Sequence, residues 1–83
     1  MKFVKIEQAR ISSITSCVYF LAYDNKEYSV ICREYGNDGE IKDESVIKGV
    51  TPNEKTAEEI LSILAKNGVC ACTLADVVID LIC

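Results

Sequence analysis

Cysteine is the residue type in this chain with the clearest chemical potential. Thiolates bind zinc, and Cys17, Cys32, Cys70 and Cys72 could in principle supply the four ligands of a tetrahedral site. The spacing argues against such a site, because Cys70-Ala71-Cys72 is a C-x-C pair rather than the usual C-x₂₋₄-C pair, and the chain has no histidine. We therefore interpret these cysteines as small hydrophobic residues that pack in the core, and we expect no metal and no other cofactor.

The polar residues do not form a catalytic pattern. The chain has no histidine to act as a general base, and it contains neither a nucleophile elbow nor a glycine-rich phosphate loop. Asp76 and Asp80 are four residues apart, but two carboxylates at this spacing are more often part of a solvated helix face. We therefore expect a protein that is not an enzyme.

The composition is that of one small acidic domain. The chain has 83 residues, a net charge of −4 and a hydrophobic fraction of 49%. This length is near the lower limit for a self-sufficient core, so residues 1–83 are expected to form a single domain. The negative charge disfavours direct binding to nucleic acid or to an anionic membrane. An odd number of cysteines, without a signal-peptide pattern or a long apolar run, favours a cytoplasmic location with reduced thiols.

Residues 51–83 have the pattern of two amphipathic helices. Thr51-Pro52-Asn53-Glu54 has the form of a capping box with Thr51 as the N-cap, and Gly68 is placed to end that helix. A second, weaker capping box begins at Thr73 and has Asp76 in the reciprocal position. Apolar residues follow helical spacing in both segments, with Ala57, Ile60, Leu61 and Leu64 in the first and Leu74, Val77, Val78, Leu81 and Ile82 in the second.

Residues 1–50 are mainly β in character. The segments 17–23 and 27–35 flank a turn at Asp24-Asn25-Lys26 and predict a hairpin, while 2–6 and 44–50 are shorter strand candidates. The hairpin register and the role of residues 8–16 stay open, because both hairpin faces carry apolar residues. Strands followed by helices predict an α+β fold, with a three- to four-stranded antiparallel sheet and two C-terminal α-helices packed on one face.

Four apolar residues fall outside the predicted core and are candidates for an interface. They are Ile31 and Tyr35 on the second face of the hairpin, and Ile63 and Ile79 at the margins of the helices. The leading hypothesis is a non-enzymatic protein-binding or regulatory module that binds a protein partner or a second copy of itself. One alternative is a small acidic inhibitor, for example of phage origin, that occupies a basic nucleic-acid-binding surface. A second alternative is a cysteine-based metal or redox protein.

The C-terminal third resembles a family of short uncharacterised bacterial proteins, found mainly in Gram-positive anaerobes. The family pattern is a helix ending in Leu-Leu-x-x-x-x-Val-Ser-Pro-x-His-Leu, followed by x-Asp-Val-Ile-Glu-Asp-Phe. The resemblance implies a cytoplasmic bacterial protein of α+β fold and brings no activity with it. The Ser, Pro and His of the pattern are replaced here, so any role of that His would be lost. The matching positions are Val69, Leu74, Asp76, Val77 and Asp80, and the replaced ones are Cys70, Ala71 and Thr73.

Overall fold

Four strands and two helices follow one another in the computed structural model, which describes residues 2–82. The strands are antiparallel and lie in the sheet in chain order, so that each pairs with its neighbour in sequence. The predicted α+β architecture is confirmed, with four strands. The elements are β1 (Lys2–Arg10), β2 (Ser16–Asp24), β3 (Glu27–Tyr35), β4 (Ile41–Thr51), α1 (Glu54–Asn67), a 3₁₀ turn (Ala71–Thr73) and α2 (Leu74–Ile82).

The hairpin of β2 and β3 is closed by a two-residue turn. Asn25 and Lys26 both have positive φ, at 50° and 66°, as a type I′ turn requires. This turn pairs Asp24 with Glu27 and thereby sets the register that the sequence pattern left open.

The register divides the side chains of the sheet between two faces, because successive residues of a strand point to opposite sides. The face that packs against the helices is called the covered face here. It contributes Cys17, Tyr19, Leu21, Tyr28, Val30 and Cys32 to the core. The helices contribute Ala57, Ile60, Leu61, Leu64, Leu74 and Val78 to the same core.

The segment whose role stayed open, residues 8–16, is divided between two strands and their connection. β1 continues to Arg10, beyond the predicted end at residue 6, and β2 begins at Ser16. In the connection, the backbone amides of Ile11 and Ser12 both donate to the Thr15 carbonyl, at 3.0 and 3.1 Å.

Helix α1 begins later than the sequence pattern predicted. The N-cap is Asn53, whose side chain accepts a hydrogen bond from the Thr56 amide at 3.0 Å, so the prediction of Thr51 as the N-cap is wrong. Thr51 is the last residue of β4 and pairs with Tyr28 across the sheet. Two factors account for the difference: a residue that precedes proline favours extended backbone, and Asn is as good an N-cap as Thr.

The C-terminus of α1 follows the prediction. Gly68 adopts a left-handed conformation with φ of 60°, and its amide donates to the Ala65 carbonyl at 3.3 Å. The Val69 amide donates to the Leu64 carbonyl at 3.2 Å, which completes a Schellman motif. This motif turns the chain sharply, so that Val69 is directed back towards the sheet.

Helix α2 is confirmed, but its predicted cap and part of its predicted buried stripe are wrong. The Thr73 hydroxyl donates back to the Cys70 carbonyl at 3.2 Å, as part of the 3₁₀ turn. Leu74 and Val78 are fully buried, whereas Leu81 is 39% exposed and Ile82 is also exposed. The helix packs against β4 and the 3₁₀ turn, and only its first two turns contribute fully buried residues.

Candidate functional site

The face of the sheet opposite the helices carries a group of apolar side chains, and we call it the open face. None of its residues belongs to the core beneath the helices. Phe3 and Ile6 are each 55% exposed and Val46 is 44% exposed, although all three residues belong to strands of the sheet. Exposed apolar groups of this kind mark interaction surfaces when they are contiguous. The apolar residues that define the open face are Phe3, Ile6, Val18, Phe20, Ile31 and Val46.

A β-bulge in β1 brings Phe3 and Ile6 to the same face. Two residues three apart in a regular strand point to opposite sides. Here the register shifts between Phe3 and Lys5, so that Phe3 pairs with Ala22 and Ile6 pairs with Phe20. Sequence reasoning missed Phe3 and Ile6 as surface residues, because their spacing does not reveal the extra residue of a bulge.

Phe20 lies at the centre of the open face and is contacted from two sides. The Phe3 ring packs against it with 5.6 Å between ring centroids. The Arg33 guanidinium lies over the Phe20 ring at 5.0 Å, a cation–π contact, and its Nε donates to the Glu44 carboxylate. The open face therefore combines apolar side chains with the ion pair of Arg33 and Glu44.

The four interface residues predicted from the sequence do not lie on one surface. Ile31 and Tyr35 are on the open face, where Ile31 is only 6% exposed because its neighbours cover it. Ile63 on α1 and Ile79 on α2 belong to the helical layer and are 37% and 51% exposed. The open face thus includes two of these residues and excludes the other two.

A second group of residues lies at one end of the covered face, and we call it the thiol cluster: Cys17, Cys32, Cys70 and Glu34. Cys17 in β2 is directly opposite Glu34 in β3, and Cys32 is two residues away along β3 on the same face. Cys70 comes from the connection between α1 and the 3₁₀ turn. The Sγ atoms of Cys17 and Cys70 and a carboxylate oxygen of Glu34 lie within 4.8 Å of one another.

The connection that carries Cys70 is held on the sheet by Tyr19. The buried Tyr19 hydroxyl donates to the Val69 carbonyl at 2.6 Å, and the Cys32 Sγ contacts the same oxygen at 3.9 Å. Because Val69 immediately precedes Cys70, these bonds fix the position of the Cys70 backbone relative to Cys17 and Cys32.

Two thiols of the cluster, those of Cys17 and Cys32, have a raised pKa and are held in the protonated state. Burial, followed by the neighbouring Cys17, Cys70 and Glu34, raises the pKa of Cys32 to about 12. Burial and the charge that Cys70 would carry also raise the pKa of Cys17. Burial and the repulsion between neighbouring negative groups disfavour the ionised forms of Cys17 and Cys32.

The other candidate residues from the sequence lie apart from this cluster. Cys72 is exposed on the 3₁₀ turn and is not part of the group formed by Cys17, Glu34 and Cys70. Asp76 and Asp80 are both exposed on α2. The structure therefore brings three of the four cysteines considered as zinc ligands together, and it adds Glu34, which sequence reasoning did not consider. Only the strand register reveals that Glu34 is opposite Cys17.

These features define a small α+β domain with an antiparallel sheet that two helices cover on one side. None of the helices within residues 2–82 has the length and apolar character needed to cross a membrane. The chain belongs to DUF6514, a family of unknown function, whose model matches residues 5–83. The match covers the two helices and nearly the whole sheet. No curated protein and no solved structure matches the chain.

Proposed function

We propose that this protein is a non-enzymatic protein-binding module that acts through its open face, and that the face binds a second copy of the same chain. The observation that carries the proposal is the exposure of Phe3, Ile6 and Val46, which lie on the open face in the two edge strands of the sheet. Burial of apolar area is the main driving force of protein association, and these side chains offer such area without any change in fold.

The charges of the open face favour a second copy as the partner. Arg33 and Glu44 form an ion pair beside the apolar residues, so the face presents both signs of charge. In a two-fold symmetric dimer the same surface meets itself, and each cation can then lie near the anion of the other copy. A surface with charges of one sign would repel its own copy.

The size of the open face sets the expected strength of the dimer. Four strands about 4.8 Å apart, with about seven residues each at roughly 3.3 Å per residue, cover roughly 400 Å². Two such faces would bury roughly 800 to 900 Å², a little below the ~1,000 Å² of stable interfaces. We therefore expect a weak dimer whose population depends on protein concentration.

The dimer is tested by sedimentation and light scattering from micromolar to millimolar concentration. The double variant Ile6→Lys/Val46→Lys places two charges on the open face at positions that are already exposed. We expect the wild-type protein to dimerise as its concentration rises, and the double variant to stay monomeric with a similar unfolding midpoint. Ile79→Lys is the matched control, because Ile79 is equally exposed but lies on α2. It should dimerise like the wild type.

Two results would overturn the proposal: a wild-type protein that is monomeric at millimolar concentration, or an Ile79→Lys variant that dissociates while the open-face variant does not.

The salt dependence of dimerisation tests whether the contact between the two copies is apolar. A dimer held by apolar contact is nearly insensitive to salt, whereas steep weakening with salt would show that charge pairs hold the two copies together and would contradict the apolar contact.

The proposed setting of the module is the cytoplasm of a bacterium. An odd number of cysteines, five in this chain, supports a reducing compartment. The resemblance of the C-terminal third to proteins of Gram-positive anaerobes supports the bacterial setting. Measurement of the free thiol content of the protein in its native cell tests the compartment, and we expect all five thiols to be reduced.

A further inference from the structure

We infer that the thiol cluster is a binding site for a thiophilic divalent cation, with zinc as the best fit, in which Cys17, Cys70 and Glu34 bind the ion and Cys32 supplies the fourth ligand. In the sequence analysis, the C-x-C spacing of Cys70 and Cys72 argued against a metal site. The fold supplies what the spacing lacks, since the ligands come from β2, β3 and the connection after α1.

The separations between the donor atoms fit a tetrahedral ion. Zinc–sulfur bonds of about 2.3 Å place two sulfur ligands of a tetrahedral site a little under 4 Å apart. Two sulfur atoms and one carboxylate oxygen already lie within 4.8 Å of one another, so small rotations of the side chains would bring them to binding distance. Cys32 is not within that 4.8 Å group, but it lies on the same face as Cys17, two residues from Glu34 along β3, and its side chain reaches the Val69 carbonyl beside Cys70.

The backbone around the cluster is already arranged for binding. The Tyr19 hydroxyl holds the Val69 carbonyl at 2.6 Å, and Cys17 and Cys32 lie on paired strands. Rigid elements of this kind lower the cost of assembling a metal site. Cys17 and Cys32 are fully buried, while Cys70 and Glu34 are partly exposed, so an ion can enter from the side of Cys70 and Glu34.

The electrostatics of the cluster favour a cation. Two thiol sulfur atoms and one carboxylate oxygen lie within 4.8 Å of one another, and each of these groups is negative when ionised. Asp43, the cross-strand partner of Glu34, adds a further carboxylate next to the cluster. A divalent cation would reverse this repulsion and stabilise the thiolates.

Binding is a proton-for-metal exchange. Each thiol forms a sulfur–metal bond and releases its proton to solvent, and no electron is transferred. Three thiols therefore release up to three protons for each ion. Because binding releases protons, the affinity for zinc should rise with pH.

The experiment uses the full wild-type chain, reduced and freed of metal, and a Cys72→Ser/Cys83→Ser version of it in which Cys17, Cys32 and Cys70 are the remaining thiols. Zinc is titrated against a chromogenic competitor, and cobalt is added separately to report tetrahedral thiolate ligation through its visible and charge-transfer absorption. We expect one zinc per chain, a tetrahedral cobalt spectrum and a higher unfolding midpoint with zinc.

The ligand variants are Cys70→Ser and Glu34→Gln, because both side chains are partly exposed and the fold should tolerate their replacement. We expect Cys70→Ser to weaken zinc binding by about 100-fold or more and Glu34→Gln by about 10-fold. Circular dichroism of the metal-free proteins checks that both variants are folded.

Three results would overturn the inference. The first is the absence of stoichiometric zinc binding in the wild-type chain. The second is loss of binding in the Cys72→Ser/Cys83→Ser protein, which would place the ion on those residues. The third is unchanged affinity in folded Cys70→Ser. Dimerisation through the open face is measured separately, so failure of either proposal leaves the other open to its own test.

Discussion

The covered and open faces of the sheet are both rich in apolar side chains, but the helices bury only one of them. On the covered face Tyr19 and Leu21 are fully buried, whereas on the open face Phe3 and Ile6 are 55% exposed. The stability gained by burial depends on the apolar area removed from water. An apolar residue of a given type should therefore contribute much more to the free energy of unfolding on the covered face than on the open face. The covered face should carry the stability of the fold, and the open face should be available for binding.

The largest expected effect comes from shortening an apolar side chain on the covered face. Leu21→Ala removes a fully buried side chain beneath the helices and should lower the free energy of unfolding by about 2 to 5 kcal/mol. Ile6→Ala, on the open face of the monomer, should lower it by less than about 1 kcal/mol. Urea denaturation at low protein concentration, where no dimer forms, measures both values. Equal losses would show that the two faces do not differ in burial.

The pH dependence of stability should also originate on the covered face. The folded pKa values of Cys17 and Cys32 are raised above the ordinary value of 9.0, so the unfolded chain loses these protons first as pH rises. Stability that is fully present below pH 9 is therefore lost towards pH 12, where the Cys32 thiol ionises in the folded protein. For two thiols the loss between pH 7 and pH 10 should be about 1 to 3 kcal/mol.

The measurement is urea denaturation of the metal-free, reduced protein at several pH values. Cys72→Ser should follow the wild type, because this exposed thiol lies outside the cluster. Cys32→Ala should reduce the change in the free energy of unfolding between pH 8 and 10, whatever its effect on stability at pH 7. If the stability of Cys32→Ala changed with pH as much as that of the wild type, the Cys32 thiol would not be a source of the pH dependence.

The two helices and the hairpin turn could be predicted from the sequence because local patterns specify them. The apolar spacing from Ala57 to Leu64, the stop at Gly68 and the turn near Asn25 each rest on residues close together in the chain. The exact start of α1 could not be predicted, because Thr51 and Asn53 are both good N-caps. Pairing of Thr51 with β3 favours Asn53, and this pairing is a tertiary effect.

The two candidate sites could not be predicted in the same way, because both depend on long-range register. The thiol cluster joins residues from positions 17 to 70, and only the pairing of Cys17 with Glu34 and the corner at Val69 bring them together. The open face depends on a bulge after Phe3 that leaves no clear mark in the sequence. Sequence spacing reports neighbours along the chain, whereas these sites are made of neighbours across strands.

A smaller effect is expected from removing one hydroxyl on each face. Tyr19→Phe deletes the buried hydrogen bond to the Val69 carbonyl and should lower the free energy of unfolding by about 1 to 2 kcal/mol. Tyr35→Phe removes a hydroxyl on the open face that is only partly buried, and its effect should be within about 0.5 kcal/mol. Denaturation of both variants at pH 7 tests the contrast. A larger loss from Tyr35→Phe would contradict it.

The smallest effect is expected from the surface ion pairs. Arg33→Gln removes the contacts with Glu44 and with the Phe20 ring on the open face, while Lys5→Gln removes a 3.6 Å pair with Glu7 in β1. Pairs exposed to this extent contribute little and are screened by salt, so both losses should disappear at about 1 M salt. A part of the Arg33→Gln loss that persists in salt would come from packing of the guanidinium on Phe20, which screening does not remove. Thermal unfolding of the two variants at low and high salt separates these contributions, and a persistent loss for Lys5→Gln would contradict the assignment.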